Sequence, residues 1–134
     1  MINKIAYITI VVKDYDEAID FYTNKLGFSL HEDTLLNTSK RWVLVSPDDL
    51  GHFCLLLARA TNERQKSRIG NQTGGRVFLF LHTDNFDLYW KRLIEKQIKI
   101  VREPTIEEYG KVLVFEDLYG NLWDLVEPND RIQE

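Results

Sequence analysis

Histidine, cysteine and arginine are the residues through which this chain could hold a metal, attack a carbon or grip an anion, and their spacing decides which. The three histidines, His31, His52 and His82, fall on or beside different strand-like runs, with no spacing that converges them on one ion. The single cysteine, Cys54, lies in the apolar run Phe53-Cys54-Leu55-Leu56-Leu57, where a buried small hydrophobe is the expected role. No Ser-His-Asp elbow, phosphate loop, cysteine cluster or dinucleotide fingerprint occurs. Gly70-Asn71-Gln72-Thr73-Gly74-Gly75 precedes a strand rather than a helix, so it lacks the helix N-terminus that cradles phosphate and reads as a flexible rim. The arginines are the exception to this scatter. Arg59, Arg64, Lys66, Arg68 and Arg76 stand against Glu63 alone, in a chain of net charge −4. Such a stretch either attracts an anionic small molecule or is a solvated linker.

The elements that must carry these residues repeat. Val12-Lys13-Asp14 opens into Ala18-Ile19-Asp20-Phe21-Tyr22 after one β-branched run, and Thr83-Asp84-Asn85 opens into Phe86-Asp87-Leu88-Tyr89-Trp90 after another. A period of about 70 residues is too long for a solenoid unit and suits two copies of a βαβββ module that bury each other's apolar faces. The first copy predicts a strand over Ile5–Val12, then a helix to Leu26 capped by Asp14 with Glu17 three positions on. Its apolar face is Tyr15, Ile19, Tyr22 and Leu26, and Gly27 ends it. Strands follow over Phe28–Asp33, Trp42–Ser46 and His52–Ala58. The second copy predicts a strand over Val77–His82, a helix from about Phe86 to Lys96, and strands near Ile98–Arg102, Lys111–Phe115 and Leu122–Val126. Asp117-Leu118-Tyr119-Gly120-Asn121 is the hairpin turn before the last strand. The modules thus span about 1–60 and 75–128, with an exposed connection over 61–74.

Composition sets outer bounds. At 134 residues and 44% hydrophobic content the chain can bury a core as one domain of two fused modules. No stretch approaches the ~20 apolar residues of a membrane span, and the N-terminus has no apolar signal region. With its one unpaired cysteine, the chain is expected to be a cytoplasmic protein of a reducing compartment. A net charge of −4 speaks against non-specific binding to nucleic acid or anionic membrane.

Val12-Lys13-Asp14 leading to Ala18-Ile19-Asp20-Phe21-Tyr22 and Lys25-Leu26-Gly27-Phe28, with Glu116-Asp117-Leu118-Tyr119-Gly120-Asn121-Leu122-Trp123-Asp124-Leu125 near the end, resembles the vicinal oxygen chelate superfamily. That superfamily includes glyoxalase I, bleomycin-resistance proteins, fosfomycin-resistance thiol transferases and extradiol dioxygenases. The resemblance runs from Ile5 to about Pro128. It implies an α+β fold of two βαβββ modules forming a U-shaped mixed-sheet cup, often in a homodimer, with the ligand held against the sheet. Catalytic members hold a divalent metal there on first-strand histidines and a closing-strand glutamate. Matched by position, those ligands fall on Tyr7, on Phe78 (or Val77 if the register shifts by one) and on Asp124. Only Asp124 is a credible ligand, so neither metal nor other cofactor is expected.

The resemblance also implies the residues that meet a ligand. Tyr7 and Thr9 lie on one face of the first strand, and Arg76, Phe78 and Phe80 on one face of its counterpart. Tyr7, Phe78, Phe80 and Trp123 offer apolar walls, although the adjacent Trp123 and Asp124 cannot both point inward. Arg41 and Arg76 offer guanidinium forks for a carboxylate or phosphate. Each of these side chains could equally be a core filler or an ordinary surface group. The favoured reading is a metal-independent small-molecule binding protein whose ligand is aromatic and anionic. The alternative is a lyase, dioxygenase or transferase of the same superfamily, using a metal or using Tyr7 as acid beside Asp124 as base.

Overall fold

The computed structural model describes residues 1–129. It divides into two compact units, Met1–Gly70 and a second from Asn71 onward. Each unit is a βαβββ module with a four-stranded mixed sheet, so the fold is α+β, built twice.

In the first unit the strands are β1 (Tyr7–Val12), β2 (Ser29–Leu35), β3 (Arg41–Ser46) and β4 (Cys54–Arg59), in sheet order β1-β4-β3-β2. β1 and β4 run parallel, and the remaining pairs are antiparallel. Helix α1 (Tyr15–Asp20) begins where the capping pattern predicts, with the Asp14 carboxylate accepting from the Glu17 amide at 2.9 Å. It does not run to Leu26 as a uniform α-helix. Phe21–Lys25 form a π-turn, in which the Leu26 amide donates to the Phe21 carbonyl five residues back. Phe21 and Tyr22, at the start of this turn, are both buried in the core. Gly27, at φ 79°, closes the helix in the left-handed conformation that other residues resist. Ile10, Val12, Val43, Val45, Leu55 and Leu57 form the sheet face beneath α1. The connection contains a single helical turn, α2 (Glu63–Lys66), capped by Asn62.

The second unit repeats the order, with β5 (Val77–His82), α3 (Phe86–Glu95), β6 (Ile100–Glu107), β7 (Gly110–Glu116) and β8 (Leu122–Pro128) in sheet order β5-β8-β7-β6. The Asn85 side chain caps α3, and the Glu127 carboxylate accepts from the Phe86 amide at 2.9 Å, tying the helix start to the last strand. β6 runs past Arg102, through Pro104, to Glu107. As an edge strand it tolerates a residue without an amide hydrogen, which is why proline does not end it. Gly110, at φ 149°, packs where any Cβ would run into the Glu127 carbonyl oxygen. The hairpin turn is held by one buried carboxylate, Asp117. It accepts from the amides of Tyr119, Gly120 and Asn121, from the Asn121 side chain, and from the Trp123 indole at 3.2 Å.

Candidate functional site

The sheet face of the first unit that turns away from α1 carries Tyr7, Thr9 and Val11 from β1, Leu56 and Ala58 from β4, and Trp42 from β3. Alternation assigns them, because Ile10 and Val12 between them are fully buried under the helix. Tyr7 is 48% exposed and meets Trp42 edge-on at 6.1 Å between ring centres. A concavity of about 560 Å³ opens at the end of this sheet where β1 and β4 finish.

Arg41 is not part of this open face. It shares its side of β3 with the buried Val43 and Val45, so its guanidinium turns toward α1. There it donates to Asp33 through two nitrogens at 3.0 and 2.7 Å and to Asp16 at 2.9 Å, and it lies over the Tyr15 ring at 5.1 Å. The bidentate hydrogen bond from Arg41 holds the Asp33 carboxyl below the ordinary carboxylate range, with partial burial opposing. Arg41 therefore lines the concavity with its fork already engaged by two carboxylates. A strand's first residue can turn either way, and the sequence alone did not reveal that Asp16 and Asp33 converge on it.

On the second unit one irregularity decides which residues share a face. β5 and β8 pair Val77 with Leu122 but Leu79 with Trp123, leaving Phe78 as an extra residue without an opposing partner. Past this bulge Phe80 stands opposite Asp124. The face that carries Asp124 thus holds Val77, Phe80, Leu122 and Val114, while Phe78 meets the buried Trp123 edge-on at 6.3 Å. Trp123 in turn stacks on Phe115 at 5.8 Å. The expectation that Phe78 shares a face with Phe80 is corrected. Trp123 is buried, Phe78 is half-buried against it, and Val77 occupies the open-face position. Of the pair Trp123–Asp124, Asp124 is the one on the open face.

A concavity of about 630 Å³ covers this face, with Phe80 63% exposed and Arg76 exposed at the start of β5. Sequence reasoning missed Arg102, which lines the same concavity from β6 opposite Val114. It fell at the end of a predicted strand, and strict alternation from Ile100 would have put the two on one side, whereas the irregularity between them sets Ile100 opposite Phe115 and Arg102 opposite Val114. Burial raises the Asp124 carboxyl above its ordinary range, and the charge of Arg102 partly offsets this.

A divalent metal does not fit the residues at the matched positions. Tyr7 is a phenol, Val77 has no donor, and Asp124 alone is a hard ligand. Among the described residues no three His, Cys, Asp or Glu side chains group as a metal-ligand set. The histidines sit apart: His31 packs against Gly51, His52 lies 3.7 Å from Asp48 in the loop before β4, and His82 is exposed at the end of β5.

Two βαβββ modules in one chain define a fold class, and the comparisons agree on the family. The family model for the Glyoxalase/Bleomycin resistance protein/Dioxygenase superfamily matches residues 4–125, and the chain belongs to that superfamily. It is 56% identical over 132 residues to an uncharacterized protein of Shewanella frigidimarina (strain NCIMB 400), with 98% of each chain covered. Among solved structures it is similar to UcmS2, at 29% identity and a TM-score of 0.82, with 95% of this chain and 99% of that one covered. It is also similar to TnmS3, an antibiotic binding protein from Streptomyces sp. CB03234, at 26% identity and a TM-score of 0.77, covering 96% and 98%.

Proposed function

We propose that this chain binds a small organic molecule, one with a flat apolar body and an anionic group, and that it does so without a resident metal ion. The observation that carries the reading is the open face of the second unit, where a 63% exposed Phe80 lies beside Val77 and Leu122 in a concavity edged by Arg76 and Arg102. An apolar floor with a few polar groups at its margin is the usual form of a small-molecule site. A ring can stack on Phe80 while a guanidinium pairs the charge. The name of TnmS3 as an antibiotic binding protein supports binding over catalysis and points toward drug-like ligands. The donor-poor set Tyr7, Val77 and Asp124 supports independence from metal. Membership of a superfamily whose modules pair supports a homodimer. The buried Cys54, whose thiol burial pushes up, supports a reducing, cytoplasmic setting.

A thermal-shift and calorimetric screen of aromatic acids against their neutral methyl esters tests the proposal. Acids are expected to stabilise the protein and esters to do so less. Arg76→Ala is expected to weaken acid binding by about 1.5–3 kcal/mol, the scale of a hydrogen bond to a charged group, and to leave folding intact. Equal shifts from acids and esters, or equal binding by the wild type and Arg76→Ala, would refute it.

A further inference from the structure

Asn121 joins two parts of the second unit that lie far apart in sequence. It is buried, and its side-chain NH2 group donates to the Asp117 carboxylate at 3.0 Å. That bond fixes which way the carboxamide points and turns its oxygen to the other side. The oxygen accepts from the Gln72 amide at 3.1 Å, 49 positions back in the chain. The next residue, Leu122, pairs with Val77. Gln72 and Val77 are thus pinned to consecutive residues, whose Cα atoms stand about 3.8 Å apart. The four residues between them, Thr73-Gly74-Gly75-Arg76, form a loop closed at its base.

Two features set the course of this loop. Gly74 and Gly75 have φ of 68° and 101°, in the left-handed region that a residue with a Cβ resists. A Cβ on either would meet nothing within 4 Å, so conformation and not crowding calls for glycine there. The Thr73 hydroxyl donates to the Arg76 carbonyl, tying the loop across its interior. Arg76 is the one charged residue of the segment, and Gly75, Arg76 and Val77 together line the second unit's concavity. The other cation there, Arg102, belongs to β6 and is held by sheet pairing instead. A guanidinium on a loose loop would lose backbone freedom on pairing an anion, whereas one on a closed and tied loop has less to lose.

We propose that the closed loop 72–77 is a positioning device for Arg76, and that it sets the charge preference of the second unit's concavity while the sheet floor sets affinity for the ligand's apolar body. The inference rests on the reading of Arg76 as the group that pairs the ligand's anion. Thr73 is then a positioning residue that acts through Arg76, and Gly75 is one through its backbone conformation alone.

Calorimetric titration with 1-naphthoate and methyl 1-naphthoate, read as the ratio of the two affinities, tests the inference. Arg76→Ala should lower the ratio about tenfold or more. Thr73→Val removes the hydroxyl, and Gly75→Ala cannot hold φ 101° without strain. Each should lower the ratio about threefold or more and leave the ester affinity within about twofold of wild type. Thr73→Ser keeps the hydroxyl and should keep the wild-type ratio. Combined with Arg76→Ala, the two loop variants should have no further effect, which is the mark of residues that act through Arg76. Positions 73 and 75 are exposed, so these variants are expected to fold as wild type, whereas Asn121→Ala would also strip a partner from the buried Asp117. Unchanged ratios in Thr73→Val and Gly75→Ala, with loss in Arg76→Ala, would overturn the role of the loop and leave the proposed function standing. Equal losses of acid and ester binding, or a loop effect that persists without Arg76, would do the same. An unchanged ratio in Arg76→Ala, or no binding of either compound at millimolar concentration, would overturn the proposed function and this inference with it.

Discussion

Replacing Arg41 with methionine, which keeps most of the side-chain stem, separates a structural clamp from a ligand-gripping fork. The wild-type guanidinium makes two short bonds to Asp33, whose side chain is 30% exposed, and one to Asp16, which is 79% exposed. The bidentate pair is worth about 1.5–3 kcal/mol as a charge-assisted interaction, the exposed Asp16 bond about 0.5 kcal/mol or less, and the stacking on Tyr15 about 0.5–1 kcal/mol. These terms share one side chain and do not simply add, so the expected loss is about 2–3 kcal/mol, or on the order of 10 °C in melting temperature. The pH dependence has a definite sign. Asp33 is held below its ordinary value of 3.8 by the hydrogen bond from Arg41, so its contribution is fully present above that value and is lost as pH falls through the lower folded value. Urea unfolding of wild type and Arg41→Met should show a constant gap from pH 7 to about 5 that narrows below about 4. A gap under about 1 kcal/mol at pH 7, or one that persists undiminished at pH 3, would refute the clamp.

Added zinc, nickel, manganese or iron should leave the melting temperature unchanged, because stabilisation by mass action requires an affinity near the concentration supplied. Saturable micromolar binding that Asp124→Ala abolishes would contradict this. Asp124→Asn should stabilise the protein at pH 7, since burial disfavours its charged form, and should flatten any rise in anion affinity toward acidic pH; an unchanged pH profile by calorimetry would count against this. Gly110→Ala should cost more than about 3 kcal/mol in chemical denaturation, because the added carbon meets the Glu127 backbone rather than a movable side chain.

The periodicities legible in the sequence were those set by local physics. The Asp14 cap, the Gly27 stop and the β-branched runs fixed the order of elements in both modules, and the positions of β5 and α3 followed to within a residue. What the sequence withheld was set by pairing at a distance. Arg41 was readable as a cation but not as one met by Asp16, 25 positions away. Arg102 was readable as a strand end but not as a neighbour of Asp124. The π-turn at Phe21–Lys25 and the bulge at Phe78 each insert one residue into a regular repeat, and strict alternation misassigns a side chain at such a point.

The bulge at Phe78 lets this strand vary in length by one residue without changing the lining of the second concavity. Removing that one residue while keeping β8 fixed would restore regular pairing. Val77 would stay opposite Leu122 and Leu79 opposite Trp123, so the floor would keep its residues and lose only the edge contact of Phe78 with Trp123. Related chains that differ by one residue at this point would then present the same floor, even where a gap-free alignment sets different side chains against it.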